Sequence, residues 1–587
     1  MPGPTPPFRS GSTINFYAGS TLNRFSWLRT STDFINGAVT SPSARFIILN
    51  KLNPLVRKSD SGTGSGNGGA GELATLSWEE VRGTVRESIR LARGGDEDGT
   101  DVQGGGIERV FGPDVFGMRG PSAVEGGEAT PELEAAKKQF TKATESMGPP
   151  NLVLVFLGVD ESESKASPSV PGQVAVSSGA GGQDATAGGD GVKEGQQLEG
   201  IPYFALSVSY EPQADSHQHG ASEQKQPLPA HKLKEELLAT GKYEFVDTRS
   251  LAQAASWPAH HAAVLAQARS LVDWNERMAY CPGCSRKQYS LWSGHKRSCS
   301  SVLSSSNPST QILRPFLPAT SSEATTASFE TDGKIFPCPA TQSLSNFSYP
   351  RTDSVVIMGV LNRTGDKILL GRQKTWPKKM YSCLAGFLEA GESLEEAVKR
   401  EIYEEAAIAI DDVVYHSSQP WPFPANLMIG CFAICKSDKP ESEIRLDLDN
   451  ELEDARFFTR EEVLEVIESS ANRIMTKKDL ERYEAGQNRN LIGQKKPTAN
   501  VDDKGQWKKG EDSGAEDSEG EKEGTEKKVT ATKWNAKDEG SVANVQADVK
   551  VPRSFAIPAS TAIAHVLIAS WARGEAHIPG LPQSSRM

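Results

Sequence analysis

Residues 386–408 of this chain read GFLEAGESLEEAVKREIYEEAAI, and they decide the fold of the region around them. Ser393 followed by Glu396 three positions later is the capping-box pattern, which predicts the start of a helix. Apolar residues then recur at helical spacing. The sequence therefore predicts a helix over 394–407, preceded by a glycine-containing loop.

Three carboxylates share one face of this predicted helix. Glu401, Glu404 and Glu405 stand at i, i+3 and i+4, so they lie side by side and repel one another by about 0.2–0.5 kcal/mol per pair. A bound cation would turn this repulsion into attraction. Carboxylate oxygens suit Mg²⁺ or Mn²⁺, ions that accompany phosphate substrates. The alternative is a charged, solvent-exposed helix, which leaves the glycine-led loop unexplained.

The segment resembles the Nudix box, Gly-x5-Glu-x7-Arg-Glu-U-x-Glu-Glu-x-Gly-U, in which U is a bulky aliphatic residue. One position departs from it, since Ala407 stands where the box has its second glycine. A left-handed backbone there costs alanine about 1 kcal/mol relative to glycine. The resemblance implies an α+β fold, the Nudix α/β/α sandwich with a mixed sheet. The matching residues are Gly386, Glu392, Arg400, Glu401, Ile402, Glu404, Glu405 and Ile408.

The same resemblance implies roles for individual residues. Arg400 is interpreted as a tie between the helix and the loop carboxylate of Glu392. Glu405 is the group that we expect to position or deprotonate the attacking water, with Glu401 and Glu404 as its catalytic neighbours. The residues implied to hold Mg²⁺ or Mn²⁺ are Ala385 (through its carbonyl), Glu401, Glu404, Glu405 and Glu451.

A proline-rich motif, SQPWPFPAN, follows at 418–426. Prolines stiffen a backbone, and rigid aromatic rings offer faces on which a base or nicotinamide stacks. The motif is similar to SQPWPFPxS of the NADH pyrophosphatase branch, with Ala425 or Asn426 in place of the final serine. The alternative is a proline-rich docking peptide. The resemblance implies these substrate-binding residues: Tyr349 (of the same or a neighbouring subunit), Gln419, Pro420, Trp421, Pro422, Phe423, Pro424, Ala425, Asn426 and Ala564.

The cysteine spacing predicts a structural zinc site, which is a second mark of that branch. Cys281 and Cys284 form a C-x2-C knuckle, and Cys299 follows. The compact ribbon pattern lacks its fourth ligand, so we assign Cys338, beyond a Ser/Thr-rich insertion. His295 is the rival ligand, and its position on a predicted turn favours a solvent-facing side chain. Four thiolates in a closed site are typical of structural Zn²⁺.

Composition divides the chain of 587 residues into packed and unpacked parts. Segments rich in Gly, Ser and charge bury too little apolar surface to offset the entropy of ordering. These are 58–72, 92–130, 159–199, 211–230, 302–333 and 470–549. The predicted units are an N-terminal NADH pyrophosphatase-like domain (10–260), a zinc ribbon (279–340), a Nudix domain (349–470), a disordered insertion (470–549), a C-terminal helix (550–575) and a tail (585–587).

Hydrophobic patterning predicts elements within those units. The N-terminal domain has strand-like runs at 45–50, 151–159 and 202–210, and a helix is predicted at 259–278. The Nudix region has a hairpin whose turn is 362–365, after strand 354–361. Further strands are predicted near 412–416 and 427–435, and further helices near 459–468 and 556–572.

Several protein classes are excluded by the composition. The apolar runs 152–159 and 354–361 fall far short of the about 18 residues that span a membrane. Seven cysteines are too few for a disulfide scaffold, and the N-terminus has no apolar signal segment. The net charge of −12 argues against binding nucleic acid through bulk charge.

The last three residues, Ser585-Arg586-Met587, are similar to the Ser-Lys-Leu peroxisomal address. Together with the family resemblance they imply import into the peroxisome through its receptor. The alternative is a polar tail that ends in Arg-Met by chance, in which case we expect a cytoplasmic protein.

The resemblance implies an NAD(H) diphosphatase, which converts NADH, or NAD⁺, and water into nicotinamide mononucleotide and AMP. It also implies a homodimer. One alternative keeps the chemistry and changes the substrate to an NAD-capped RNA, against which the net charge argues mildly. The other is a non-catalytic nucleotide sensor, suggested by Ala407 and by the long unpacked segments.

Overall fold

The structure is a computed structural model, and it describes residues 14–58, 71–93, 109–116, 131–162, 200–211, 227–248, 257–303, 338–342, 348–377, 379–468 and 555–579. The predicted insertion 470–549 and the tail 585–587 lie outside these residues, as do most of the other segments predicted to remain unpacked.

The N-terminal unit is built on a mixed sheet. Its strand order is β1-β6-β7-β2-β3-β4, with β5 on β2 and β8 on β3, and β2 runs parallel to β7. All three predicted strands are present as β2, β6 and β7. The strand bounds are β1 Leu22–Asn23, β2 Arg45–Asn50, β3 Asn53–Arg57, β4 Glu72–Leu73, β5 Thr75–Leu76, β6 Leu154–Asp160, β7 Ile201–Ser207 and β8 Tyr243–Phe245.

Helices cover both faces of this sheet, because its strands are apolar on both sides. One face packs against α1, α2 and α4, and the other against α5. The predicted helix 259–278 is confirmed as α5. The bounds are α1 Thr32–Val39, α2 Trp78–Ala92, α3 Pro131–Thr144, α4 Pro229–Ala239 and α5 Ala259–Arg277.

The prediction that 92–130 stays unpacked is wrong for 109–116. Phe111 is fully buried in the N-terminal core. Buried Asn36 accepts hydrogen bonds from the backbone N–H groups of Val110 and Phe111 at 2.8 and 2.9 Å, and it donates one to the Phe111 carbonyl. One side chain thus anchors a short segment that composition alone assigns to a linker. The same kind of error assigned Pro229 to a linker, whereas it begins α4.

A small module connects the two sheets. It consists of the hairpin β9 Gln288–Leu291 and β10 Lys296–Cys299, joined by a 3₁₀ turn at Trp292–Gly294. A second 3₁₀ turn, Ser300–Leu303, follows, and α6 is the short helix Pro339–Gln342.

The C-terminal unit contains a six-stranded mixed sheet with the order β14-β15-β11-β12-β16 and with β13 on β11. The predicted hairpin is confirmed, since the Gly365 N–H donates to the Asn362 carbonyl at 2.9 Å. Sequence patterning missed the short β13 and the charged β16. The bounds are β11 Asp353–Leu361, β12 Lys367–Gln373, β13 Leu384–Phe387, β14 Ile410–Trp421, β15 Asn426–Cys435 and β16 Leu452–Thr459.

This sheet is also covered on both faces, which confirms the predicted α/β/α sandwich. Helix α7, Leu394–Ala406, packs on one face, while α8, Arg460–Glu468, and α9, Ile563–Ala572, pack on the other. Helix α9 begins later than the predicted 556. Pro558 disfavours a helical conformation in the residue before it, and Ala556 instead pairs with Met380.

Among the described residues, no helix is both long enough and apolar enough to cross a membrane.

Ala407 ends α7 in the left-handed conformation, with φ 60° and ψ 20°. Its N–H caps the helix by donating to the Tyr403 carbonyl at 2.8 Å. We expect Ala407→Gly to raise the free energy of unfolding by about 1 kcal/mol, because glycine adopts this conformation without a steric cost. Urea unfolding followed by circular dichroism measures the change. The control is Ala406→Gly in the last helical turn, which we expect to lower the free energy of unfolding. Equal changes in the two variants would contradict the left-handed conformation assigned to Ala407.

Candidate active site

The carboxylate helix begins as predicted. The Ser393 N–H donates to the Glu396 carboxylate at 2.8 Å, and the Glu396 N–H donates to Ser393 Oγ at 3.3 Å. This reciprocal cap fixes the first turn of α7. Apolar side chains such as Val398 and Ile402 pack onto the sheet, so the acidic residues of the last turns point towards β13.

Gly386 in β13 lies directly beneath Glu401. A Cβ atom at position 386 would fall 1.9 Å from Cδ of Glu401, which is far inside the contact distance. The strand is fixed by antiparallel pairing of Gly386 with Val356 of β11. The glycine is therefore required by space, because the carboxylate occupies the volume of its missing side chain.

Glu405 is the most deeply buried acid of the site, with 3% of its surface exposed. Its Oε1 atom has no hydrogen-bond partner among the described residues. Burial and the negative charges of Glu451, Glu401 and Asp449 raise its pKa well above the usual range, against a hydrogen bond from the Ala385 backbone. A buried carboxylate with an unpaired oxygen and negative neighbours is suited to binding a cation.

Glu451 reaches this cluster from the loop before β16. Its Oε1 accepts a hydrogen bond from Gln373 Nε2 at 2.6 Å. Burial, followed by the charges of Asp449 and Glu401, raises its pKa. The pKa of Glu401 is likewise raised, chiefly by burial and against the opposing effect of Arg400.

The tie between Arg400 and Glu392 is confirmed. The guanidinium donates to both carboxylate oxygens of Glu392, at 2.5 and 2.9 Å, and to the Phe387 carbonyl at 2.8 Å. These bonds lower the pKa of Glu392 to about 2. Arg400 also contacts Glu401 at 2.8 Å and the more exposed Glu404 at 2.9 Å. One arginine therefore holds the loop against the helix.

The donor set fits a hard divalent cation. Carboxylate oxygens are the ligands that Mg²⁺ and Mn²⁺ prefer, and Glu405 supplies a buried oxygen that lacks a partner. The charges of Glu401 and Glu451 both raise the pKa of Glu405. The ligand atoms of these three residues do not all lie within 4.8 Å of one another; among the described residues only four cysteines form such a group. The metal-ligand assignments, including the carbonyl of Ala385 and the side chain of Glu404, stay predictions.

We expect Gly386→Ala to lower the catalytic rate about 100-fold or more. The added methyl group must displace the Glu401 carboxylate, and a shift of about 1 Å in a catalytic group costs this much. The measurement is steady-state turnover with Mg²⁺ or Mn²⁺. Gly83→Ala in α2 is the matched control, since a Cβ there meets nothing within 4 Å and should leave turnover unchanged.

The proline-rich motif lies at the junction of the two units. Its first residues extend β14 as far as Trp421, and the chain then turns into β15. Phe423 is buried against Tyr17, with ring centroids 6.1 Å apart, and Trp421 packs on Phe423 at 5.2 Å. The motif thus carries its aromatic rings against the N-terminal unit.

Gln419 is fully buried, and its amide is saturated by backbone groups. Nε2 donates to the carbonyls of Phe16 and Thr561, at 2.9 and 2.8 Å, and Oε1 accepts from the Ile563 N–H at 2.9 Å. If Gln419 binds substrate through its amide N–H groups, that contact would have to replace one of these bonds. The structure therefore gives this residue a role in joining the N-terminal unit, β14 and α9.

Arg269 is a residue that sequence patterning missed. It is buried on α5, its Nε donates to the Pro422 carbonyl at 2.6 Å, and its guanidinium lies 4.8 Å from the centre of the Phe423 ring. A charged residue in a run of alanines and leucines is the sequence signal that could have indicated it. Asn15, which donates to Ser417 and to the Ser418 carbonyl, gave no such signal.

Two other predicted substrate contacts lie elsewhere. The ring of Tyr349 packs on Trp292, at 5.6 Å between centroids, and the described residues show no ring contact between Tyr349 and the proline-rich motif. Ala564 is buried in the first turn of α9, where its carbonyl lies 3.8 Å from Cys383 Sγ. Tyr349 therefore does not form a pocket with Trp421 and Phe423 of its own chain. Substrate binding by these three residues stays a prediction.

The four predicted zinc ligands converge. The Sγ atoms of Cys281, Cys284, Cys299 and Cys338 lie within 4.8 Å of one another, with the pairs 281/338 and 284/299 at 3.7 and 3.3 Å. A tetrahedral ion with bonds of about 2.3 Å requires sulfur atoms about 3.8 Å apart, so the cluster fits Zn²⁺. The other cysteines, 383, 431 and 435, are buried in the C-terminal core as expected.

The prediction that His295 faces solvent is wrong. Its side chain is buried, and Nε2 lies 2.7 Å from the Phe156 carbonyl, so it holds the connecting module onto β6. Burial and the nearby Arg29 lower its pKa to about 3. The reason is tertiary: the 3₁₀ turn between β9 and β10 packs on β6, which sequence spacing does not indicate.

Two family models match the chain. Residues 350–478 match the NUDIX domain, and residues 43–274 match the NADH pyrophosphatase-like rudimentary NUDIX domain. The first match contains the carboxylate helix and the cluster around Glu405, and the second contains the N-terminal sheet except β1.

Curated relatives resemble part of the chain. An NAD-capped RNA hydrolase of Schizosaccharomyces pombe is 41% identical over 39% of this chain and 52% of its own length. The NAD-capped RNA hydrolase NUDT12 of Homo sapiens is 41% identical over 35% of this chain and 36% of its own length. NAD-capped RNA hydrolase NPY1 of Saccharomyces cerevisiae is 29% identical over 37% and 50%. The chain thus spans about half, or less, of these relatives.

The box, which departs from the pattern only at Ala407, the acidic cluster that it builds and the two matching models agree. The chain belongs to the Nudix hydrolase superfamily, with an NADH pyrophosphatase-like rudimentary NUDIX domain ahead of its NUDIX domain.

Proposed function

We propose that the chain is a metal-dependent hydrolase of the diphosphate in NADH and NAD⁺, releasing nicotinamide mononucleotide and AMP. The observation that carries this proposal is the buried Glu405, whose unpaired oxygen lies among the negative charges of Glu401, Glu451 and Asp449. Such a cluster is costly unless it serves to bind cations.

The chain's own residues supply two actions, and bound ions would supply a third. Glu405 accepts the proton of the water that attacks phosphorus, and the P–O bond of the bridging oxygen breaks. Arg400 holds the loop through Glu392, which keeps Gly386 and Glu401 in register. Divalent ions on the carboxylates would neutralise the diphosphate and polarise the attacking water.

A second candidate substrate is an RNA that carries NAD at its 5′ end. The relatives named NAD-capped RNA hydrolases support this candidate. Its diphosphate is the same as that of free NAD, so the acidic cluster would act on both. The two substrates differ only in the nucleotide chain attached to the adenosine.

The test is the release of products from NADH and from an NAD-capped RNA, with Mg²⁺, with Mn²⁺ and with a chelator. AMP released from NADH in a metal-dependent manner supports the diphosphatase. Cleavage of capped RNA alone would move the assignment to decapping. No turnover of either substrate by folded protein would favour the nucleotide sensor and overturn the proposal.

Three further assignments belong to the same proposal. The thiol cluster binds structural Zn²⁺, supported by its sulfur spacing. The chain acts as a homodimer, supported by the placement of Tyr349 away from the proline-rich motif of its own chain. It is imported into peroxisomes, supported by Ser585-Arg586-Met587, which lies outside the described residues.

A further inference from the structure

A buried arginine of the N-terminal unit reaches the proline-rich motif of the C-terminal unit. Arg269 lies on α5, and 7% of its surface is exposed. Its Nε donates to the Pro422 carbonyl at 2.6 Å, and its Nη1 donates to the Leu52 carbonyl at 2.5 Å. One planar guanidinium, whose N–H groups form a fixed fork, therefore bridges backbone carbonyls that belong to different units.

The Leu52 end of this bridge is rigid. Lys51 and Leu52 form the turn between the paired strands β2 and β3, and both have left-handed φ values, 49° and 66°. This geometry is typical of the tight turn of a β-hairpin. Strand β2 lies inside the N-terminal sheet, between β7 and β3. The sheet therefore fixes the Leu52 carbonyl, and Arg269 holds the Pro422 carbonyl at a set distance from it.

The same guanidinium contacts an aromatic ring of the motif. Its Cζ atom lies 4.8 Å from the centre of the Phe423 ring, which is within the range of a cation–π contact. The ring of buried Tyr17 meets that of Phe423 at 6.1 Å between centroids and at an interplanar angle of 71°. Phe423 is itself only 8% exposed. The buried phenylalanine thus anchors the motif to the N-terminal unit.

Trp421 depends on this anchor for its orientation. Its ring makes edge contacts with Phe423, at 5.2 Å between centroids, and with Tyr17, at 6.4 Å. Trp421 is only partly buried, so it is the more accessible of the two rings of the motif. A displacement of Phe423 would therefore move the ring that a ligand can reach.

The C-terminal sheet connects the motif to the acidic cluster. Trp421 of β14 and Asp353 of β11 both pair with Asn426 of β15. Three residues further along β11, Val356 pairs with Gly386 of β13, beneath the carboxylate helix. At about 3.3 Å per residue and about 4.8 Å between strands, Trp421 lies about 10 Å along the sheet and about 14 Å across it from that glycine. The motif and the cluster therefore share one frame.

We propose that Arg269 is a positioning residue, which holds Trp421 and Phe423 where the proline-rich motif contacts one base of the dinucleotide. The inference rests on the proposed function and adds a residue of the N-terminal unit to the same site. Contacts between the motif and a base are made before the reaction and during it alike. Their loss therefore raises KM and leaves kcat nearly unchanged. Loss of Arg269 acts in the same way, although its own side chain is buried.

The first test is steady-state hydrolysis of NADH by the full chain with Mg²⁺. We expect Arg269→Met to raise KM about tenfold while kcat changes less than about threefold, because the carboxylates are untouched. Arg269→Lys keeps the charge but replaces the fork by a single ammonium, so it should raise KM only about threefold.

Gln267→Met is the matched control, since it also removes a buried donor from α5. That donor bonds the Leu157 carbonyl of β6, at 2.8 Å, and not the proline-rich motif. The control should therefore lower stability and leave KM within about twofold of the parent.

The second test follows the Trp421 ring in the absence of substrate. Full-length protein is labelled with fluorotryptophan, and the fluorine resonance of residue 421 is the one that disappears from the spectrum of Trp421→Phe. We expect Arg269→Met to shift or broaden this resonance, and Gln267→Met to leave it in place.

An unchanged KM in Arg269→Met, a loss that falls mainly on kcat, or an unmoved Trp421 resonance would overturn the inference. A tenfold higher KM in Gln267→Met would overturn it too, because any damage to α5 would then have the same effect. If Arg269→Met does not fold, Arg269→Lys decides, and parental values of KM and of the resonance count against the inference. If the folded parent does not hydrolyse NADH, the proposed function fails, while the fluorine spectrum still decides whether Arg269 positions the ring.

Discussion

Glu405→Gln is expected to lower metal-dependent turnover of NADH by about 10²–10⁴-fold, the contribution typical of a general base. The substitution preserves shape and removes the charge that binds a cation and accepts the proton. Because Glu405 is buried and its Oε1 is unpaired, no neighbouring group can take over its role without rearrangement. AMP release under saturating Mg²⁺ or Mn²⁺ measures the effect.

The control is Glu395→Gln, which makes the same change at an exposed position in the first turn of α7. It should leave turnover within about twofold of the parent, as expected for a surface substitution. Retention of more than a tenth of the parental rate by Glu405→Gln would remove this residue from the mechanism.

Glu405→Gln should stabilise the metal-free protein, although it lowers turnover. In metal-free protein the pKa of Glu405 is raised, so the folded state holds its proton more tightly than the unfolded chain, where the pKa is about 4.3. The free energy of unfolding of the parent therefore falls as the pH rises above about 4.3. Glu405→Gln lacks this loss and should be about 1–2 kcal/mol more stable than the parent at pH 7.5 without metal. A variant less stable than the parent under these conditions would contradict the electrostatic argument.

Cys338→Ser is the second substitution with a large expected effect. We expect bound zinc to fall from about one ion per chain to a small fraction of this, because a closed site needs all four thiolates. Structural zinc contributes about 10–16 kcal/mol in small domains, and loss of one ligand in four removes roughly 3 kcal/mol of stability. Zinc is measured by elemental analysis, and stability by thermal unfolding.

Cys383→Ser is the matched control, since Cys383 is also buried but lies in the C-terminal core, away from the cluster. Cys383→Ser should leave the zinc content unchanged. It should lower the stability of the protein only through the changed packing around residue 383 in the C-terminal core. If Cys338→Ser retained full zinc, the fourth ligand would have to be another residue, and the assignment of Cys338 would be wrong.

Much of the site could be predicted from local sequence, because several of its contacts join residues that are close in sequence. The capping box of Ser393 and Glu396, the hairpin turn at Gly365 and the pairing of Arg400 with Glu392 all join residues close in sequence. Each could be predicted because short-range geometry depends on spacing and propensity, and the structure confirms all three. The left-handed Ala407 belongs to the same group, since it follows from a glycine position in the box.

Contacts between distant segments were beyond prediction. Asn36 draws 109–116 into the core, and Arg269 fixes the Pro422 carbonyl across 153 positions. His295 turned inward because the 3₁₀ turn between β9 and β10 packs on β6. In each case the partner is a backbone carbonyl or N–H, which every residue possesses, so nothing in the sequence marks it.

The sequence by itself determined the helix that carries the carboxylates, the spacing of the four cysteines and the two-unit organisation, because these follow from periodicity and from residue type. Only the tertiary structure decided which carboxylate is buried, that Gly386 makes room for Glu401, and that His295 is buried against β6. Burial and charge proximity arise when separate elements pack together. They depend on the whole fold, whereas a motif depends only on its own neighbourhood.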